Sequence, residues 1–222
     1  MRKIVLFFYA IIPALFLNAQ STKLPLQEWE GVKDSAFVLY ISGDGGMNDF
    51  STSLVTGINH AGYSIASINA KTYFHEKKTV QQTAAAIGDW LTDKFSGRKN
   101  QQLILAGYSF GADVMPFIVN RLPVAIQDKI VSVILLSPSA TTDFETHLTD
   151  MLGLNQKRSM DVVAEINKME VAKLAIIKGS DEDEFPEKNI RVKNYKKEVL
   201  PGGHHFDGNT SEVASVVMKY FR

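Results

Sequence analysis

The sequence predicts an α/β fold with a mostly parallel β-sheet and helices on both faces. Short runs rich in Val, Ile and Leu alternate along the chain with segments of helical periodicity. The apolar runs are almost free of polar side chains, which is typical of parallel strands that are buried on both faces. Alternation of such strands with helices indicates strand–helix–strand units and therefore a parallel sheet.

The predicted elements follow one another without a repeat or a linker. Strands are predicted at 36–42, 63–70, 102–107, 129–137 and 171–179. Helices are predicted at 50–62, 79–95, 110–120 and 211–221, and residues 140–169 are expected to be helix-rich. In the 79–95 segment, apolar residues recur at spacings of three and four and define one helix face. In such sheets, functional groups collect at the carboxyl ends of the strands.

Composition limits the possible functions. With 222 residues, 45% of them hydrophobic, the chain is long enough for one domain with a sizeable core. The 24 Lys and Arg residues balance the 24 Asp and Glu residues, so no overall positive field favours nucleic acid as a partner. The chain has no cysteine, which excludes disulfides, a thiol nucleophile and a lipid-modified cysteine.

Residues 1–20 have the layout of a secretory signal peptide. Arg2 and Lys3 form a basic start, residues 4–17 form an uncharged apolar run, and Ala19 is a small residue near a plausible cleavage point. The run is shorter than the roughly 20 residues of a membrane span, and an uncleaved anchor is the alternative. We predict export, to the periplasm in a double-membraned bacterium, and a single domain at 21–222 with a net charge of about −2.

Ser109 is the candidate nucleophile. It lies in Gly107-Tyr108-Ser109-Phe110-Gly111, directly after the apolar run LILA and before a helical pattern. This G-x-S-x-G arrangement of strand, tight turn and helix is that of a nucleophile elbow, whose flanking small residues let backbones approach closely. The alternative is a tight turn in which Ser109 only caps the helix.

The candidate base lies in LPGGHHFDG, a Gly-rich segment after the last strand-like stretch. His204 directly follows two glycines and is favoured as the base, while His205 is its competitor. A serine hydroxyl needs such a base, and the base needs a group that orients it. The remaining histidines are scattered and form no H-x-x-x-H pair, so no metal is predicted.

The candidate acids follow the strand at 171–179. The chain order Ser, acid, His is that of the α/β-hydrolase fold, which we therefore predict. Asp181, Glu182 and Asp183 are all placed for this role. Pro186 lies seven residues after Gly179, and this spacing often accompanies an acid three residues after the glycine, which is Glu182. Asp181 is the second candidate, and Asp143, after the preceding strand, is the third.

Acyl transfer also requires amide donors for the oxyanion. The N–H of Phe110, next to the nucleophile, is one candidate, and the SGDGG loop after the first strand supplies the other from Asp44 or Gly45. A Gly-rich loop can also cradle a phosphate, but no G-K-S/T follows this one, so a nucleotide site is not predicted. No cofactor is expected.

Several stretches together resemble the bacterial virulence protein VirJ/AcvB family. They are SGDGG, INAKTYF, GYSFGADVMPF with RLP downstream, LLSPSATTDFETHL and GGHHFDG, in that family's order from about Ser42 to Gly208. The resemblance implies an α/β-hydrolase fold and an exported location. Ser109 matches the family's nucleophile, His204 its base, and the SGDGG loop its oxyanion side.

For AcvB-like members, the resemblance implies hydrolysis of the aminoacyl ester of aminoacylated phosphatidylglycerol, such as lysyl-phosphatidylglycerol. Asp44, Asp113 and the acidic run at 181–184 are candidates for binding a cationic amino acid, and a position on the helix surface or behind the site is the equal alternative for Asp113. Tyr73, Phe74 and Phe117 are candidates for an apolar wall that contacts lipid, and core packing is the equal alternative for these aromatics. Contact with the membrane surface would be transient. Two further functions remain open: a serine esterase acting on another lipid or small ester, and a periplasmic binding protein associated with secretion-system proteins.

Overall fold

The computed structural model describes residues 23–32, 36–98, 100–146, 158–182 and 185–222, and its centre is a seven-stranded sheet. In spatial order the strands are β1 (Leu26–Trp29), β3 (Ser64–Ile68), β2 (Phe37–Ile41), β4 (Leu103–Tyr108), β5 (Ile130–Leu136), β8 (Leu174–Gly179) and β9 (Tyr195–Leu200). Only β1 runs antiparallel to its neighbour within this sheet. The predicted mostly parallel sheet is confirmed.

Helices cover both faces of the sheet, as predicted. On one face lie α1 (Asp49–His60) and α7 (Thr210–Met218), which contact each other. On the other lie α3 (Val80–Lys94), α4 (Phe110–Val119) and α6 (Val162–Ile166). The single-turn helices α2 (Ala70–Tyr73) and α5 (Val124–Gln127) connect larger elements. The described residues include no helix long and apolar enough to cross a membrane.

The two-sided cover explains why the strands are continuous apolar runs. In β4, Leu103 and Leu105 belong to the core under α3 and α4, whereas Ile104 and Ala106 belong to the core under α1 and α7. Alternate side chains of a strand point to opposite faces, so a strand covered on both faces favours an apolar residue at nearly every position. Each fully buried Leu or Ile side chain in these strands contributes about 1.5–3 kcal/mol of transfer free energy.

Two parts of the fold differ from the sequence-based expectations. Neither edge strand was among the predicted strands: β1 is only four residues long and carries Gln27 and Glu28, and β9 carries Lys196, Lys197 and Glu198, so neither has a continuous apolar sequence. The described parts of 140–169 hold the five-residue α6 and a two-stranded pair, β6 (Thr141–Thr142) and β7 (Met160–Asp161), so they are less helical than expected. Residues 1–20, predicted to be a signal peptide, lie outside the described residues.

Candidate active site

Ser109 lies at the sharp turn between β4 and α4. Its backbone has φ 52° and ψ −121°, a left-handed conformation that non-glycine residues rarely adopt and that is often found at functional sites. A Cβ on Gly107 would lie 2.4 Å from the carbonyl oxygen of Gly111, and one on Gly111 would lie 2.2 Å from that of Ile41. The glycines at these two positions therefore allow the backbones to pack closely enough to form the turn.

A continuous chain of hydrogen bonds joins Ser109, His204 and Glu182. The Oγ of Ser109 lies 2.8 Å from Nε2 of His204, and Nδ1 of the same ring lies 2.6 Å from Oε1 of Glu182. Both distances are those of hydrogen bonds, and each ring nitrogen has one partner. The arrangement matches the one in which a histidine removes the serine proton while an acid holds the imidazole tautomer.

The second carboxylate oxygen of Glu182 is held by the ends of two neighbouring strands. It accepts hydrogen bonds from the Gly179 amide at 2.7 Å and from the Ser137 hydroxyl at 2.9 Å. Burial by itself would raise the pKa of Glu182, but the hydrogen bonds from His204, Gly179 and Ser137 outweigh it and keep the pKa below its ordinary value. The carboxylate is therefore ionised at neutral pH.

The other predicted acids lie elsewhere. The exposed Asp181 accepts a hydrogen bond from the Ser180 hydroxyl at 2.8 Å, and Asp143 accepts one from Arg158 at 2.9 Å. Asp183 lies outside the described residues. Of Asp143, Asp181 and Glu182, only Glu182 contacts His204.

The two adjacent histidines have different partners. His204 faces Ser109, whereas Nδ1 of His205 lies 2.6 Å from the hydroxyl of Tyr108. The segment that carries them begins with Gly202, whose φ is +92°. A Cβ on Gly179 would lie 2.3 Å from the carbonyl oxygen of Gly203, so this glycine lets the segment pack closely against the end of β8.

The start of α4 and the loop after β2 carry the predicted oxyanion donors, and both lie next to Ser109. The Phe110 amide is at the N-terminus of α4, and a Cβ on Gly43 would lie 3.3 Å from the Cβ of Ser109. The Gly45 amide donates to the Asp44 carboxylate at 2.8 Å, so its predicted alternative role in the oxyanion hole is not available in this structure. The amides of Phe110 and Asp44 donate no hydrogen bond to any described residue.

Three residues predicted to contact substrate lie in the interior. Phe74 has no exposed surface and packs edge-on against Tyr73, Phe110 and Phe144, and Tyr73 is 4% exposed. The prediction of a substrate-contacting wall at Tyr73 and Phe74 is therefore wrong, because apolar rings at the end of a parallel sheet are also what the core needs. Phe117 is buried in the same cluster.

Asp113 is also buried rather than open to a substrate. Its carboxylate accepts a hydrogen bond from the Ser139 amide at 2.6 Å. Burial raises the pKa of Asp113 to about 7, although the bonds to Ser139 and the charges of Arg158 and His204 oppose the rise. Asp113 therefore anchors the turn after β5, and its predicted role in binding a cationic substrate is wrong.

Two residues at the site were not identified from the sequence. Ser137, at the end of β5, has φ 49° and donates to Glu182. Tyr108 occupies the variable position before the nucleophile and contacts both histidines. The only sequence signal for Ser137 was a polar residue directly after a buried strand. No group of His, Asp and Glu side chains suited to a metal ion occurs in the described part of the chain.

Comparison with protein families gives one match that spans most of the chain. The family model described as bacterial virulence protein (VirJ) matches residues 34–222. None of the curated proteins compared with the chain is similar enough in sequence to match.

Comparison with solved structures shows the fold. Est1E from Butyrivibrio proteoclasticus is 16% identical with a TM-score of 0.61, over 89% of this chain and 93% of that one. MenH from S. aureus is 13% identical with a TM-score of 0.62, over 88% and 97%. An alpha-beta serine hydrolase homologue from Coxiella burnetii is 16% identical with a TM-score of 0.61, over 87% and 89%. The chain therefore has the α/β-hydrolase fold.

Proposed function

The chain belongs to the VirJ family of bacterial virulence proteins, and from this membership and the geometry at Ser109 we propose that it is a serine hydrolase that cleaves a carboxylic ester. The observation that carries the proposal is the chain of hydrogen bonds from Glu182 through His204 to Ser109. A binding protein does not require a strained serine backbone, a base on its hydroxyl and a buried acid on that base. Nucleophilic catalysis requires all three.

The proposed reaction proceeds through an acyl-enzyme. The Ser109 oxygen attacks the ester carbonyl while Nε2 of His204 takes its proton. The amides of Phe110 and Asp44 donate to the carbonyl oxygen as it becomes negative, and the N-terminus of α4 favours that charge. His204 then gives the proton to the departing alcohol oxygen. A water molecule, deprotonated by His204, releases the acid and restores Ser109.

We propose the aminoacyl ester of aminoacylated phosphatidylglycerol, of which lysyl-phosphatidylglycerol is an example, as the substrate. Support comes from the sequence resemblance and from two carboxylates near the nucleophile, those of Asp44 and Glu182. The carboxylates of Asp44 and Glu182 act on the Tyr108 hydroxyl and help to raise its pKa, after burial and the neighbouring Tyr40. A cationic aminoacyl group would be attracted by the same carboxylates.

We further propose that the protein works outside the cytoplasm, in the periplasm, at the surface of a membrane. The support is the signal-like sequence of residues 1–20, with its basic start and apolar run. Contact with lipid would be transient, and secretion-system proteins are candidate partners. Nucleic acid is not a proposed partner, and the reaction as written uses no metal or cofactor.

Labelling with a fluorophosphonate tests the catalytic proposal. The probe reacts with an activated serine, so the wild type should be labelled and Ser109→Ala should not. The matched control is Ser53→Ala, because Ser53 is an exposed serine in the middle of α1 and its loss should leave labelling unchanged. An unlabelled, folded wild type would remove the basis for the hydrolase.

Vesicles that contain lysyl-phosphatidylglycerol test the substrate separately. The wild type should release free lysine from them and Ser109→Ala should not. A protein that reacts with fluorophosphonate but leaves this lipid intact would be a serine esterase for another substrate. In a strain that makes the lipid, deletion of the gene should raise its level, and only the wild-type gene should restore it.

A further inference from the structure

We propose that Tyr108 and His205 are positioning residues that keep the ring of the base, His204, at hydrogen-bond distance from the Ser109 hydroxyl. This inference rests on the proposed function, because it presupposes that Ser109 is the nucleophile and His204 its base. Tyr108 is the residue immediately before the nucleophile, and His205 is the residue immediately after the base. A contact between these two side chains therefore joins the two halves of the site directly.

The Tyr108 hydroxyl makes two contacts with the histidine segment. It donates to the backbone carbonyl of His204 at 3.0 Å, and it lies 2.6 Å from Nδ1 of His205. Its ring also lies near both imidazoles, with centroid distances of 5.4 Å to His204 and 6.2 Å to His205. One side chain thus fixes the backbone of the base and the side chain of its neighbour.

Counting protons assigns the tautomer of His205. A tyrosine hydroxyl has one proton to donate and lone pairs to accept with. If it donates to the His204 carbonyl, it can engage His205 only as an acceptor, and Nδ1 must then carry a proton. If Nδ1 were bare, the hydroxyl would serve only one of its two acceptors. The pair of contacts therefore requires an Nδ1–H on His205. Burial, followed by the neighbouring Tyr40, Glu182 and Asp44, raises the pKa of Tyr108, so the hydroxyl keeps its proton.

Tyr108 is rigid enough to act as a fixed point. It is the last residue of β4 and only 2% exposed. Its ring packs against Phe50 with a centroid distance of 4.5 Å. On another side lies the loop after β2, where a Cβ on Gly43 would come 3.3 Å from Cδ1 of Tyr108. A buried ring with neighbours on several sides has few alternative rotamers.

The histidine segment needs such a restraint because its backbone is strained. Phe206 and Asp207 follow the histidines with φ of 51° and 50°, and both are non-glycine residues in the left-handed region. Conformations of this kind persist only where surrounding contacts hold them. Phe206 is anchored by burial and by stacking on Phe50 at 6.0 Å, while His204 is 42% exposed at its side chain. The bond from Tyr108 to the His204 carbonyl restrains the more exposed half of the segment.

The first test compares Tyr108→Phe with Tyr40→Phe. Both changes remove one buried tyrosine hydroxyl, but that of Tyr40 bonds to the Ser51 hydroxyl at 2.9 Å and has no hydrogen bond to either histidine among the described contacts. For hydrolysis of a p-nitrophenyl ester, Tyr108→Phe should lower kcat about tenfold with little change in KM, since a loosened base affects the reaction more than binding. Tyr40→Phe should retain kcat within about twofold while losing comparable thermal stability. Equal kcat values in the two variants would overturn the proposal.

The second test asks for rescue at position 205. His205→Ala removes the donor to Tyr108, whereas His205→Asn places an amide N–H near the former position of Nδ1. We expect kcat to fall several-fold in the alanine variant and to return largely to the wild-type value in the asparagine variant. If both variants keep full kcat, the contact of His205 with Tyr108 has no positioning role.

A direct readout separates this inference from the proposed function. Nitrogen-15 NMR of the imidazoles should show Nδ1 of His205 protonated in the wild type and in Ser109→Ala, with that preference lost in Tyr108→Phe. The measurement needs no activity, so it decides the tautomer even if the wild type fails to react with fluorophosphonate. A bare Nδ1 on His205 in the wild type would overturn the assignment, whatever the enzyme assays give.

Discussion

Replacing Glu182 with Gln should disable the site while preserving its shape. The distal carboxylate oxygen of Glu182 accepts from the Gly179 amide and the Ser137 hydroxyl, and the proximal oxygen faces Nδ1 of His204. A glutamine has one oxygen and one NH₂ group. Two donors on the distal side and one on the proximal side favour placing its oxygen distally, which points the NH₂ at Nδ1. The imidazole then takes the Nε2–H tautomer and cannot accept the proton of Ser109.

We expect kcat to fall by about 10³–10⁴-fold, as when a triad acid elsewhere is replaced by its amide, equivalent to about 4–5.5 kcal/mol of barrier. The assay is steady-state hydrolysis of a p-nitrophenyl ester, with circular dichroism to show that the variant is folded. Asp181→Asn is the matched control, since this neighbouring carboxylate bonds only to the Ser180 hydroxyl among the contacts described, and it should change kcat less than twofold. A decrease in kcat of less than tenfold in Glu182→Gln, or of more than twofold in Asp181→Asn, would refute the reasoning.

Three further substitutions test the fold around the site. Gly111→Ala should cost several kcal/mol of stability and most of the activity, because its Cβ would lie 2.2 Å from the Ile41 carbonyl. Gly57→Ala in α1 meets only the Ala214 Cβ at 3.5 Å, and should stabilise the protein by about 0.5–1 kcal/mol in urea unfolding; a loss would contradict the helix-propensity argument. The free energy of unfolding of Asp113→Asn, measured relative to that of the wild type, should increase as the pH rises from about 4 to 7, by at most about 4 kcal/mol. The sign follows because the folded-state pKa of Asp113 is raised to about 7, so the unfolded carboxyl loses its proton first and wild-type stability falls across that range. A pH-independent difference would contradict this interpretation.

The strands and the elbow were predictable because their signals are local. A strand covered on both faces is apolar at nearly every position, so β4, β5 and β8 stand out in the sequence even though β5 contains Ser132 and β8 contains Lys178. A serine between two glycines after such a strand specifies a tight turn before α4. β1 escaped prediction because it pairs with one neighbour only, and its short polar sequence carries no comparable signal.

Other features depend on which residues meet in space. Tyr73 and Phe74 could equally have lined a substrate site, and only the positions of Phe110 and Phe144 place them in the core. Asp113 lies four residues after Ser109 on α4, yet its carboxylate meets the Ser139 amide rather than open solvent. A sequence records that a residue is polar or apolar, but long-range packing determines what it contacts.

By itself, the sequence determined an α/β-hydrolase fold, Ser109 as candidate nucleophile and the order of serine, acid and histidine along the chain. The tertiary structure decided which of the two histidines and which of the neighbouring acids meet. His204 faces Ser109 while His205 contacts Tyr108, and Glu182 rather than Asp181 reaches His204. The reason is physical: adjacent residues in a loop have nearly the same local signal, but their side chains leave the backbone in different directions. Only the packing of β4, β8 and β9 fixes which direction leads into the site.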